Sequence, residues 1–178
     1  MKNHVEIMLT KQVIKNRIIK LGHDISEYYK NSNEDLILVG LLRGSFIFIA
    51  DLCREVIIPH KIDFMTVSSY DNNYISENNV KIRQDLTQNI TGKHVLIVED
   101  IIDSGFTLKT ICEILMSRYP KSLSICTLLD KPTRREVNIN PHWVGFLIPD
   151  EFVVGYGIDY AQCYRHLPYV GKIKNIYK

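Results

Sequence analysis

From Glu99 to Leu108 the chain reads Glu-Asp-Ile-Ile-Asp-Ser-Gly-Phe-Thr-Leu, three carboxylates followed by two hydroxyls that flank a glycine. Carboxylates set so close repel one another unless each has a ligand or a hydrogen-bond task. The Ser104-Gly105-Phe106-Thr107 run opens a predicted helix, where free N–H groups, two hydroxyls and the positive end of the helix dipole suit one phosphate. Gly105 permits a tight turn and close approach of that anion. Acceptors beside a donor-rich cradle fit a ribose 5-phosphate, because carboxylates accept from the sugar hydroxyls while backbone amides hold the phosphate. Taken alone, an acidic strand end with a glycine turn also reads as an ordinary solvated loop. Other phosphate patterns fail: GxxxxGK[ST] is absent, and Gly155-Tyr156-Gly157 lacks the third glycine and the strand-to-helix setting of a dinucleotide fingerprint.

The elements that must hold this segment follow from periodicity. Ile14, Ile18, Leu21, Ile25 and Tyr28 predict an amphipathic helix over 9–29 with Thr10 as N-cap. Residues 36–42 form a short apolar run of buried-strand type, closed by Arg43-Gly44-Ser45 and followed by Phe46, Ile49, Ala50 and Cys53 at helical spacing. Ile62, Phe64 and Thr66 alternate as a strand that ends in Ser68-Ser69-Tyr70. The Asn-rich stretch 70–79 has little to bury and reads as a flexible active-site loop, within about 69–80, long enough for a lid. A returning strand is expected over 80–86, the strongest buried strand over 94–98, a helix over 107–118, and strands over 122–129 and 143–148. Strands alternating with helices predict an α/β protein with a mostly parallel central sheet flanked by helices. Ligands bind such sheets where strand C-terminal ends enter loops, and the acidic segment lies at such an end.

The 178 residues suit one domain, 1–178, without a metal or disulfide staple, and 46% apolar with 24% charged residues exclude collagen-like and disordered chains. A formal charge of +2 gives no broad attraction to nucleic acid or an acidic membrane, so neither is an expected partner. Four widely spaced cysteines, with no CxxC pair, read as reduced thiols of a cytoplasmic protein. The first residues lack a signal-peptide core, and the most apolar stretch, 36–58, is interrupted by Arg43, Asp51, Arg54 and Glu55.

The stretch VLIVEDIIDSGFTL resembles the 5-phosphoribosyl 1-pyrophosphate (PRPP) binding motif of type I phosphoribosyltransferases. LVGLLRGSFIFIADL, DFMTVSSY, CTLLDKPTRREV and GFLIPDEFVVGYGIDYAQCYRHLPYVG resemble, in order, the other blocks of bacterial hypoxanthine-guanine members, so the likeness spans about residues 36–171. Segment 71–79 departs from the Gly-containing loop of that family. The resemblance implies the type I phosphoribosyltransferase fold, with a small hood built from the N- and C-terminal segments. It implies a purine salvage transferase that moves 5-phosphoribosyl from PRPP to N9 of hypoxanthine and guanine, giving IMP or GMP and pyrophosphate. Mg2+ is the implied cofactor and a homodimer or homotetramer the implied assembly. A xanthine-preferring enzyme and a PRPP-sensing regulator that binds nucleic acid are the competing readings; Asp103, Lys131 and the near-neutral charge count against the regulator.

Under that resemblance Glu99 and Asp100 hold the ribose and reach the metal through it, while Asp159 is a direct or water-mediated metal ligand within the purine-binding block. Asp103, Ser104, Gly105, Phe106, Thr107 and Leu108 make the ribose-phosphate cradle. Leu42-Arg43-Gly44 and Arg165 bind pyrophosphate. Asp103 is the general base for the N7 proton, with helix N-capping as a plainer role for an Asp in that place. Lys131 donates to a 6-oxo group and opposes a 6-amino group, since an ammonium has no acceptor. Phe152 stacks on the purine and the Val153 backbone meets its Watson–Crick edge. Ser69 and Tyr70 open the loop that closes over the reaction centre. Without the family context Arg43 and Arg165 read as surface cations, Lys131 as a solvated strand end, and Phe152-Val153 as core.

Overall fold

The computed structural model describes residues 4–69 and 80–174, so Tyr70 and the rest of the expected loop lie outside the described residues. In chain order the elements are β1 (His4–Leu9), α1 (Lys11–Tyr29), β2 (Leu36–Leu42), α2 (Phe46–Glu55), β3 (Lys61–Ser69) and β4 (Val80–Gln84). There follow β5 (His94–Ile102), α3 (Phe106–Met116), β6 (Ser122–Asp130), a single 3-10 turn (Pro132–Arg134), β7 (Trp143–Leu147), β8 (Val153–Val154) and β9 (Val170–Lys174).

Unbroken apolar runs mark strands buried on both faces. In β2, Leu36 and Leu38 enter one core while Ile37 and Val39 enter the other; in β5, Leu96 and Val98 oppose Val95 and Ile97 in the same way. The first core is closed by Ile14, Ile18, Leu21 and Ile25 of α1 with Phe48, Ile49 and Leu52 of α2, the second by Leu108, Ile111 and Leu115 of α3. Each such side chain, fully buried, contributes about 1.5–3 kcal/mol. Thr10 caps α1 as expected, its side chain accepting from Val13 N.

The main sheet has the order β4-β3-β2-β5-β6-β7 and is parallel except for the β3–β4 pair. From β2 the chain moves outward to β3 and β4, then returns to the other side of β2 as β5 and moves outward again. The order therefore reverses between β2 and β5, and a crevice opens beyond their C-terminal ends. The two strands run in register from Leu36↔His94 to Gly40↔Val98, which carries Arg43-Gly44 and Glu99-Asp100 to the same end.

A second, antiparallel sheet, β1-β9-β8, joins the two ends of the chain and forms the expected hood. Boundaries differ from the sequence reading in one place that matters: β5 runs on to Ile102, because its ladder with β6 continues through Glu99↔Thr127 to Ile102↔Asp130. Glu99 and Asp100 are thus strand residues, held by sheet pairing. Among the described residues no helix is long and apolar enough to cross a membrane.

Candidate active site

The crevice is built from close backbone approaches. Beyond β2 the chain turns through Arg43-Gly44-Ser45, and the Leu42–Arg43 peptide is cis. Ser45 is fully buried, and its Oγ donates to Leu41 O at 2.6 Å, tying the turn to its strand. A Cβ at position 44 would lie 1.8 Å from Asp100 Oδ2, so any side chain there would displace the Asp100 carboxylate. On the other side, a Cβ at Gly157 would meet Gly44 O at 2.1 Å, and φ of +99° there also calls for glycine.

The third wall is a tight turn in which Ala161 and Gln162 take φ of 50° and 64° between bridged Tyr160 and Cys163. Asp159 organises it: Oδ2 accepts from Gln162 N at 2.8 Å, and Oδ1 pairs with Arg165 Nη2 at 2.7 Å. Arg165 Nη1 donates to Gly157 O at 2.7 Å. Leu42, Arg43, Gly44, Asp100, Asp159 and Arg165, all expected from sequence, line one cavity of about 890 Å³. Thr66, Val67, Arg83 and Gln162 complete it and were not singled out.

The acids at the crevice are perturbed by burial. Asp100 is 8% exposed, and burial pushes its carboxyl up to about 6 against the pull of backbone N–H donors and Arg165. Burial and then the charge of Asp100 push Glu99 well above the ordinary range, and its Oε2 is buried with no hydrogen-bond partner among the described residues. A buried carboxylate oxygen without a donor, as at Glu99, suits a hydroxyl-bearing ligand. Among the described residues no three His, Cys, Asp or Glu side chains converge as a ready cation cage. The donor set nonetheless fits Mg2+: two hard carboxylates, Asp100 and Asp159, face one cavity, and this ion takes one or two carboxylates while phosphate and water oxygens supply the rest.

A second cluster surrounds Asp103. Lys131, which in isolation reads as a solvated strand end, is 6% exposed. Its Nζ lies 3.4 Å from Asp103 Oδ2 and 3.8 Å from Asp150 Oδ1, while Arg134 Nε reaches the same two acids at 3.0 and 3.7 Å. Arg135 Nη1 donates to Asp103 O at 2.7 Å. Burial alone would raise the Asp103 carboxyl, but the Arg134 hydrogen bond and the Lys131 charge outweigh it and hold the group below its ordinary value. N-capping by Asp103 is not observed: Gly105, at φ +90°, caps α3 without a side-chain bond, because two cations claim the Asp103 carboxylate.

The segment expected to cradle a phosphate leads into α3. Lys109 N bonds to Gly105 O at 2.9 Å, so the N–H groups of Phe106, Thr107 and Leu108 have no partner within the helix. The side chain of Leu108 is 4% exposed and belongs to the core, leaving only its amide for an anion. A Cβ at Gly105 would press on Val137 and Ile139 at 3.0 Å, so this glycine also serves packing. Phe152 is 44% exposed with Tyr160 edge-on at 5.4 Å, whereas the Val153 side chain is buried in β8 and only its backbone can meet a ligand. Ser69 ends β3, backbone-paired with Val80.

Sequence reading missed Arg134 and Asp150, although both lie inside the DKPTRREV and IPDEFVVGYG blocks; nothing in the chain shows that they share Lys131 and Asp103. A further cavity of about 470 Å³, between α1, α2 and residues 166–168, contains none of the expected residues, and its Asp51 is already taken by Arg54 and the Tyr156 hydroxyl.

Comparison with known proteins agrees with this geometry. The model of the phosphoribosyl transferase domain family matches residues 5–161. The chain is 63% identical over 173 residues to hypoxanthine phosphoribosyltransferase of Escherichia coli (strain K12), covering 97% of each. It is 47% identical to hypoxanthine-guanine phosphoribosyltransferase of Staphylococcus epidermidis, covering 97% of this chain and 96% of that one. A crystal structure of hypoxanthine phosphoribosyltransferase from Staphylococcus aureus superposes with a TM-score of 0.90 at 47% identity, covering 95% and 91% of the two chains.

Proposed function

The chain belongs to the phosphoribosyl transferase family, and on that premise we propose that it transfers 5-phosphoribosyl from PRPP to N9 of hypoxanthine, and of guanine, in purine salvage. The reading rests on one observation above all: Arg43, Gly44, Asp100, Asp159 and Arg165 line a single cavity at the β2–β5 crevice. That arrangement suits a pentose carrying a pyrophosphate.

In the reaction the bond from C1′ to the pyrophosphate oxygen breaks and the N9–C1′ bond forms with inversion, giving IMP or GMP. Charge gathers on the departing pyrophosphate, so the side chains that face it lower the barrier most. Arg43, whose side chain pairs with no described residue, and Arg165 take part of that charge, with the backbone of Gly44 lining the same cavity. Glu99 and Asp100 receive the ribose hydroxyls, and the α3 amides receive the 5-phosphate. Mg2+, held by Asp159 and reached by Glu99 and Asp100 through the sugar, would neutralise pyrophosphate oxygens when bound.

The proton on N7 passes to Asp103. With its carboxylate paired to Lys131 and Arg134 the resting group is a poor base. When an oxopurine offers its 6-oxo oxygen to Lys131, the ammonium turns from Asp103, and the carboxylate gains proton affinity as the substrate arrives. Adenine turns its own 6-amino donor toward the same ammonium, so that donor goes unpaired, at about 1–3 kcal/mol, and Lys131 stays with Asp103. Phe152 offers a ring face to the base.

The test is nucleotide formation from PRPP with hypoxanthine, guanine, xanthine and adenine side by side. Hypoxanthine is expected to lead, with one pyrophosphate released per IMP; no nucleotide from any oxopurine, or a preference for adenine, contradicts the proposal. Assembly as a dimer or tetramer in the cytoplasm belongs to the same reading, and a solution mass equal to one 20.7 kDa chain would contradict the assembly.

A further inference from the structure

The β2–β5 cavity holds a cation that the mechanism above leaves unused. We infer that Arg83, on β4, is a third pyrophosphate-binding side chain, reaching the leaving group in the cavity it shares with Arg43 and Arg165. The inference rests on the function proposed above and adds a residue to it.

Three observations carry it. Arg83 lines the same cavity as Arg43 and Arg165, beside its β3 neighbours Thr66 and Val67. Its placement is built by the sheet: Thr66 pairs with Gln84 and Val67 with Ile82, so Arg83 is the extra residue of a bulge. Bulges re-aim one side chain while the strand around them stays paired, and Ile82 next door is packed against the core. Finally, Arg165 is committed to Asp159, Gly157 O and Gln162, whereas the Arg83 and Arg43 side chains pair with no described residue. Two uncompensated guanidinium groups facing one polar cavity match a multiply charged anion with planar, paired oxygens.

The test uses the full chain as R83A and R83K, with K20Q on the exposed face of α1 as a control for lost charge. Pyrophosphate with Mg2+ is titrated calorimetrically into each protein, and KM is measured for PRPP and for hypoxanthine. Loss of one exposed charge-assisted contact is expected to weaken pyrophosphate binding and raise KM for PRPP by about tenfold in R83A. R83K is expected to fall between R83A and the parent, and KM for hypoxanthine to stay within about twofold. Pyrophosphate affinity of R83A equal to that of K20Q overturns the inference. So does a parallel loss for hypoxanthine, which marks a general disturbance of the fold. If the parent binds pyrophosphate but forms no nucleotide, the proposed function fails while the calorimetry still decides the role of Arg83.

Discussion

The two ends of the candidate site solve the problem of charge in opposite ways. At the β2–β5 crevice, bare backbone and buried acids stand beside Arg43 and Arg83, whose side chains pair with no described residue, so the pocket is electrostatically unfinished and an anion completes it. Around Asp103 the charges are already matched, two cations against two acids, and a ligand enters only by exchanging one partner for another. The first arrangement favours tight holding of PRPP. The second favours discrimination, because a base that cannot accept from Lys131 leaves the Lys131–Asp103 pair closed and Asp103 a poor base.

If that division holds, damage to the matched cluster is expected to appear in turnover and base choice, and damage to the crevice in donor binding and stability. Asp103→Asn is expected to give the largest effect, a fall in kcat of about 10²–10⁴, checked by steady-state IMP formation at saturating PRPP. A kcat within a few-fold of the parent would remove Asp103 as the base. Lys131→Ala is expected to lower kcat/KM for hypoxanthine and guanine by about 10–100-fold while adenine is unaffected, measured with the same panel of bases. Equal losses for every base would make Lys131 a structural residue.

Asp100→Asn probes the crevice through stability. The native carboxyl keeps its proton up to about pH 6, whereas the unfolded one releases it near its ordinary value of 3.8, so the native state binds more protons between these values. Stability of the free protein therefore falls as pH rises from about 4 to about 6 and levels off above. The Asn variant loses the Asp100 share of that slope, while Glu99 keeps its own, and is expected to exceed the parent above pH 6, by at most about 3 kcal/mol from the conversion of pKa to energy. Urea unfolding at pH 4.5 and 7.5 decides it: parallel behaviour of the two proteins would refute strain at Asp100.

The smallest effect is expected for Arg134→Gln. Arg134 helps hold Asp103 below its ordinary pKa, so its loss lets Asp103 take a proton at higher pH. If the ionised Asp103 carboxylate is the base, the acidic limb of the kcat/KM profile should move to higher pH. An unmoved limb would show that Arg134 does not tune Asp103.

How much of this could be read from the chain depended on the kind of force involved. Strands β2, β5 and β6 declare themselves because burial on both faces demands unbroken apolar runs, and the motif at Glu99–Thr107 because phosphate needs glycine, hydroxyls and a helix start together. The hood strands β1, β8 and β9 are short, and their pairing joins residues at opposite ends of the chain, which no local pattern records. Arg83 was hidden for a similar reason: VKIRQ looks like an ordinary charged strand, and only the bulge opposite Thr66 and Val67 turns it toward the cavity. Lys131 reads as solvated until β6, the 3-10 turn and the Asp150 segment enclose it.

The central claim, that donor holding and proton transfer reside in separate parts of one site, is tested most directly by calorimetric titration of PRPP with Mg2+ into the Asp103→Asn protein. A dissociation constant within about threefold of the parent, less than 0.7 kcal/mol on the affinity scale, is the expected result. An affinity that falls in step with turnover would contradict it and make the two regions one.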